Sequence, residues 1–272
     1  MTEYRNRSGG RRRDGERAQF READETRLEG RNAVLEALRS GRTIDKLFIL
    51  KGEREGSLQR IFAIAREQRV VISEVERAKL DDMSQTGAHQ GVIAQCAAVA
   101  YCQVEEILQL ARERGEAPFV ILCDEINDPH NLGAIIRTAE GAGAHGVIIP
   151  KRRSVGLTST VAKAAAGALE HMPIARVASL DRTIELLKQE GLWVFGADMD
   201  GQDDYYRMDL KGPIALVVGS EGFGMGHLIQ KKCDFLVKIP MCGEINSLNA
   251  SVAAGILMYE VVRQRAINVR KA

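Results

Sequence analysis

Aromatic side chains are scarce in this 272-residue chain, at 5% of positions with a single Trp, and there are only six prolines. A core built from it must be aliphatic, and a proline-rich spacer is excluded. The five cysteines (Cys96, Cys102, Cys123, Cys233 and Cys242) include no Cys-x-x-Cys pair. An odd, unpaired set reads as reduced thiols and not as a disulfide framework. His89, His130, His145, His171 and His227 are scattered, so no zinc-ligand spacing appears and no metal is expected. No apolar run approaches the ~20 residues of a membrane span, and residues 1–10 hold no secretory apolar segment. A soluble, cytoplasmic protein with no membrane partner is expected. A dominant charge is missing too: 38 basic residues face 37 acidic ones, a net charge of +1, so bulk electrostatics names no partner.

What is present is ample core material, 45% hydrophobic against 28% charged, in a length suited to two domains. Residues 1–13 hold five Arg and one acid, and residues 1–27 read as a disordered tail or as a basic arm that attracts nucleic-acid phosphates. From residue 28 to 97 helical spacing (32–39, 58–68) alternates with short strands (46–50, 70–72, 91–96), the pattern of a small α/β sandwich. Residues 98–117 read as a linker with one amphipathic helix, 104–114. From 118 to 272 the alternation is strict. Aliphatic strands at 119–123, 147–149, 174–177, 193–197, 214–218 and 235–239 are separated by helices, and a long helix follows at about 247–264. Unbroken aliphatic strands of this kind predict a mostly parallel sheet covered on both faces. Ligands of such folds sit beyond the carboxyl ends of the strands.

One glycine motif is set aside. Residues 141–146 (GAGAHG) match the G-x-G-x-x-G dinucleotide pattern, but they close a helix and lead into a strand, the reverse of the required order. Three strand-to-helix loops are more informative. In 127–137 (NDPHNLGAIIR), Asn131 is placed to cap a helix. Arg137 lies off the buried stripe, near Gly133 and Gly141, either paired with Glu140 or at a cleft rim whose glycines admit a ligand. In 219–226 (GSEGFGMG), four glycines shape a backbone to wrap a ligand, and Glu221 disfavours a phosphate in favour of a neutral or cationic guest. In 239–251 (IPMCGEINSLNAS), Asn246 or Ser247 can cap the helix, and Asn246, Ser247, Asn249 and Ser251 together supply more hydrogen-bonding groups than one cap requires.

Asn131-x-Gly133 with Arg137, then Gly219-Ser220-Glu221-Gly222, then Ile239-Pro240-Met241 with Ser247-Leu248-Asn249-x-Ser251-Val252-Ala253, resemble the three ordered motifs of the SpoU (TrmH-like) RNA ribose 2′-O-methyltransferases. The resemblance covers about residues 118–264. Glu29-Gly30-Arg31-Asn32-x-Val34-x-Glu36-Ala37-Leu38 and His89-Gln90-Gly91 resemble the L30e-like substrate-binding domain of one branch of that family. The whole is similar to bacterial enzymes that methylate a guanosine ribose in 23S ribosomal RNA.

The resemblance implies S-adenosylmethionine as cofactor, a trefoil knot in the C-terminal domain, and a homodimer whose active sites draw on both subunits. It implies that the backbone of Gly219, Ile239 and Leu248 holds the cofactor, and that Arg137, Glu221, Ser247 and Asn249 with Asn131 form the catalytic surface, Arg137 beside the cofactor loops. A guanidinium stays protonated in proteins, so Arg137 is expected to stabilise alkoxide charge or clamp a phosphate, not to act as base. Arg31, Asn32, Arg54, His89 and Gln90 are candidates for RNA contact. Transfer RNA or another ribosomal site as target stays open, as does a non-catalytic RNA-binding module.

Overall fold

A computed structural model describes residues 26–52, 56–220, 222, 224–245 and 247–269. Nearly all of the Arg-rich tail, together with Arg54, Glu221 and Asn246, lies outside the described residues. The N-terminal domain runs β1 (Arg27–Glu29), α1 (Arg31–Arg39), β2 (Ile44–Leu50), α2 (Ser57–Glu67), β3 (Val71–Val75), α3 (Arg77–Met83) and β4 (Val92–Cys96). Its sheet order is β1-β4-β2-β3, with β2 and β3 parallel and the other pairs antiparallel. Val34, Leu38, Leu47 and Ile61 fill the space between sheet and helices. The sequence pattern missed β1 and α3, because the first is three residues paired across the sheet and the second buries only Leu80.

The C-terminal domain runs α4 (Val104–Glu113), β5 (Phe119–Cys123), α5 (Pro129–Gly141), β6 (Gly146–Pro150), α6 (Ser159–Ala165), β7 (Ile174–Val177), α7 (Leu180–Gln189) and β8 (Trp193–Ala197). It continues through β9 (Asp203–Asp204), β10 (Ile214–Val218), α8 (His227–Lys232), β11 (Phe235–Lys238) and α9 (Ala250–Val269). The strands form a parallel sheet in the order β7-β6-β5-β10-β8-β11-β9. Residues of α5, α6 and α9 pack on one face of it and residues of α4, α7 and α8 on the other. The doubly covered parallel sheet is the one the aliphatic strands predict. Gly143, at φ 70° between the end of α5 and β6, serves a helix ending, as its order along the chain requires.

The segment expected to be a linker is largely part of this domain. Val104, Ile107 and Leu108 of α4 are buried with Val120, Leu122 and Ile148, and Ala111 is buried as well. Full burial of an Ile or Leu contributes about 1.5–3 kcal/mol, so this helix is a structural layer of the sheet. Cys102 pairs with Ala175 beside β7, and its amide donates to the Ile174 carbonyl at 2.9 Å. The domains are also tied by charge. The Arg176 guanidinium meets Asp45 Oδ1 at 2.5 Å, with both side chains at least nine-tenths buried.

Candidate active site

Beyond the carboxyl ends of β10, β8 and β11 lies a cleft of about 310 Å³. Its first wall is the glycine loop after β10. An ideal Cβ on Gly219 would lie 2.2 Å from the Gly224 carbonyl carbon and 2.3 Å from the Met225 nitrogen, so only glycine lets the loop fold back on itself. Ser220 and Gly224 exchange two backbone hydrogen bonds of 2.9 Å that close the turn. The Gly226 amide then donates to Asp124 Oδ2 at 2.8 Å, pinning the loop to the end of β5. Burial pushes the Asp124 carboxyl above its ordinary range, partly offset by that amide.

Ile239 and Met241, which follow β11, form a second wall, and Ser247, Leu248 and Ala250 at the start of α9 form a third. The helix begins at Ala250, later than the sequence pattern suggests. Asn249 caps it: its Oδ1 accepts from the Ser251 amide at 3.0 Å, the Ser251 hydroxyl at 2.6 Å and the Val252 amide at 3.3 Å. Its Nδ2 donates to Asn131 Oδ1 at 3.0 Å, joining the third motif to the first. Asn131 is not the cap of α5. Asp128 holds that position, accepting from the His130 amide at 2.8 Å, which places Asn131 inside the helix facing Asn249.

The fourth wall is Ala197, the last residue of β8, with Asp198, Met199 and Asp200 after it, a loop not singled out from the sequence. The available signal was its position: acidic residues directly beyond the carboxyl end of an aliphatic strand. Asp198 accepts from Gln230 Nε2 at 2.8 Å and from the Asp200 amide at 2.9 Å, which fixes the loop. Two carboxylates beside an apolar slot of Val218, Ile239 and Leu248 disfavour an anionic guest and suit a cationic one. Asp198 and Asp200 thus give the cleft negative charge of their own.

The cleft therefore brings together Gly219, Ile239, Leu248 and Ser247, with the Asn131–Asn249 pair at its edge. It does not include Arg137. That side chain is exposed on α5, outside the lining of its own chain's cleft, and among the described residues it makes no ion pair, with Glu140 or otherwise. Nor does Gly133 open a surface for a ligand. A Cβ there would lie 2.4 Å from Ala164 Cβ, so this glycine serves the close packing of α5 on α6.

Two family models match the chain, one described as the SpoU rRNA Methylase family over residues 118–259 and one as RNA 2'-O ribose methyltransferase substrate binding over 27–102. The chain belongs to the SpoU rRNA methylase family. A Bacillus subtilis protein, YacO, described as a TrmH family tRNA/rRNA methyltransferase, is 53% identical over 236 residues, 87% of this chain and 94% of its own. A Staphylococcus haemolyticus protein of the same description is 48% identical over equal shares. The SpoU methyltransferase AviRb of Streptomyces viridochromogenes, solved in complex with AdoMet, aligns at a TM-score of 0.57 and 26% identity, covering 89% of this chain and 90% of that one. An AdoMet-bound rRNA methyltransferase of Sinorhizobium meliloti aligns at 0.55 and 26%, covering 88% and 87%.

In this SpoU methylase the described RNA-contact candidates, Arg31, Asn32, His89 and Gln90, gather at one end of the N-terminal sheet. The Arg31 Nε donates to the Gln90 carbonyl at 2.9 Å, and Asn32 is exposed beside them. His89 differs from the expectation of an exposed contact. It is 4% exposed, its Nδ1 accepts from the Gly91 amide at 3.0 Å, and its Nε2 sits 2.9 Å from Asp81. Both ring nitrogens are engaged in holding the loop that presents Gln90.

Proposed function

We propose that this SpoU methylase uses S-adenosylmethionine to methylate the 2′-hydroxyl of a guanosine ribose in 23S ribosomal RNA. The supporting observation is the convergence of three sequence-distant loops on one cleft that combines an apolar slot with negative side-chain charge. Its apolar slot suits a flat heterocycle, and Asp198 and Asp200 suit the positive charge of the sulfonium donor. When bound, that donor supplies an electrophilic methyl group on a cationic sulfur. The chain's own residues do the positioning. Gly219, Ile239 and Leu248 would offer main-chain groups to the cofactor, and Ser247, which lines the same cleft, would face the ribose. The Asn131–Asn249 pair holds the third loop against α5.

Arg137 enters through a second copy of the chain. Val252 and Tyr259, seven residues apart on α9, are about half exposed, and the Tyr259 hydroxyl lies 3.5 Å from where a Gly141 side chain would begin, one turn beyond Arg137. Covering this apolar stripe in a homodimer carries the Arg137 guanidinium toward the partner's cleft, where it stabilises charge developing on the 2′-oxygen or clamps the neighbouring phosphate. A trefoil-knotted path through the domain is part of the same reading, supported by β11 lying between β8 and β9 and by α9 returning to α5.

Calorimetry with S-adenosylmethionine, then labelled-methyl transfer to 23S ribosomal and transfer RNA transcripts with mapping of the modified ribose, tests the proposal. A mapped 2′-O-methylguanosine in 23S RNA is expected. No cofactor binding would overturn the enzymatic reading, and exclusive labelling of transfer RNA would overturn the target.

A further inference from the structure

A second cleft, about 350 Å³, lies where the two domains meet. Arg42 and Arg69 line it from the N-terminal domain. Lys151, directly after β6, and Arg176, near the end of β7, line it from the catalytic domain. Asp45 is the sole acid among the lining residues, and its charge is committed to Arg176. The Tyr101 ring also contacts that guanidinium, its centroid 5.4 Å away. Arg69 and Lys151 are then in excess. Neither has an ion-pair partner among the described residues, and Arg176 Nε is buried without a hydrogen-bond partner. Cations gathered in a concavity repel one another and focus a positive potential, an arrangement that suits an anion.

The position of the cleft narrows the anion. One wall belongs to the region matching the RNA substrate-binding model, and the other is the same carboxyl edge on which the cofactor cleft opens. β6 lies two places from β10 in the sheet, roughly 10 Å at ~4.8 Å per strand. A short single-stranded segment spans that distance. We propose that the interdomain cleft is a phosphate-binding site for the RNA backbone, holding the strand between its anchorage on the N-terminal domain and the methylated ribose. The inference rests on the RNA-methylation reading above.

The experiment uses the full chain and a fluorescein-labelled single-stranded RNA oligonucleotide, with anisotropy recorded across a series of salt concentrations. For the Arg69→Gln/Lys151→Gln double variant, affinity is expected to fall at least tenfold. The slope of log affinity against log salt should shrink by roughly 1.4, at about 0.7 for each phosphate no longer neutralised. Melting temperature and S-adenosylmethionine affinity should stay at wild-type values, which separates the effect from misfolding. The charge-keeping Arg69→Lys/Lys151→Arg pair should restore the slope. A double variant that binds RNA with wild-type affinity and slope would overturn the cleft assignment alone, as would a charge-keeping pair that behaves like the neutral one. A wild-type chain that binds no RNA would instead overturn the function reading on which the inference stands.

Discussion

Replacing Gly219 with alanine tests the cofactor cleft at its tightest point. The new methyl would lie 2.2–2.4 Å from backbone atoms of Gly224 and Met225, where an ordinary contact is 3.4 Å or more, so the loop must open by about 1 Å. No flexible side chain can yield in its place. The turn closed by Ser220 and Gly224 would be stretched, and Gly226 would be pulled from Asp124. Overpacking of this kind costs about 1–3 kcal/mol, a fall in Tm of roughly 2–12 °C for a domain of this size. Because the displaced atoms form the cleft wall, removing one or two main-chain hydrogen bonds should weaken S-adenosylmethionine binding roughly 10–100-fold. Gly212→Ala is the control, since nothing lies within 4 Å of its Cβ position. Calorimetry and thermal melting on both variants provide the readout. A Gly219→Ala protein with wild-type cofactor affinity would show that the loop after β10 does not hold the donor.

Three further outcomes are expected. Arg137→Ala should lower methyl transfer by two or more orders of magnitude with cofactor affinity unchanged, and Arg137→Lys should recover little because it lacks the planar fork; near-normal single-turnover rates would remove Arg137 from the mechanism. Asn249→Ala should destabilise by about 1 kcal/mol through removal of the cap and also reduce turnover by removing the bond that ties the third loop to Asn131, whereas Asn249→Asp, which can still cap, should regain stability in thermal melts but not turnover. For Glu29, burial works upward, but hydrogen bonds from Ser84, Thr86 and Gln85 prevail and hold its carboxyl at about 2, below its ordinary 4.5. A depressed carboxyl contributes stability that is full above pH 4.5 and disappears as pH falls toward 2, so Glu29→Gln should flatten the pH dependence of Tm across that window. An unchanged profile would refute the loop-clamping role of Glu29.

Period and loop chemistry are local properties, and the sequence carried them. The aliphatic strands, the helices between them and the loops holding Gly219, Ile239 and Leu248 were all legible, because short apolar runs and strand-to-helix turns are written in consecutive residues. The reversed order of residues 141–146 was legible for the same reason. What depends on burial between distant segments was not. The amphipathic pattern of α4 showed a helix but not its place, which comes from packing on β5 and β6. Asn131 looked like the cap of α5 and Asn246 or Ser247 like that of α9, but Asp128 and Asn249 hold those places, and only folding brings Asn249 to Asn131 across 118 positions. His89 carried a family motif but is sealed by Asp81 and Gly91, and Gly133 looked like ligand space until α6 filled it. The acidic wall at Asp198 and the basic interdomain cleft arise where separate segments meet, and charges far apart along a chain acquire a common field only after folding brings them together.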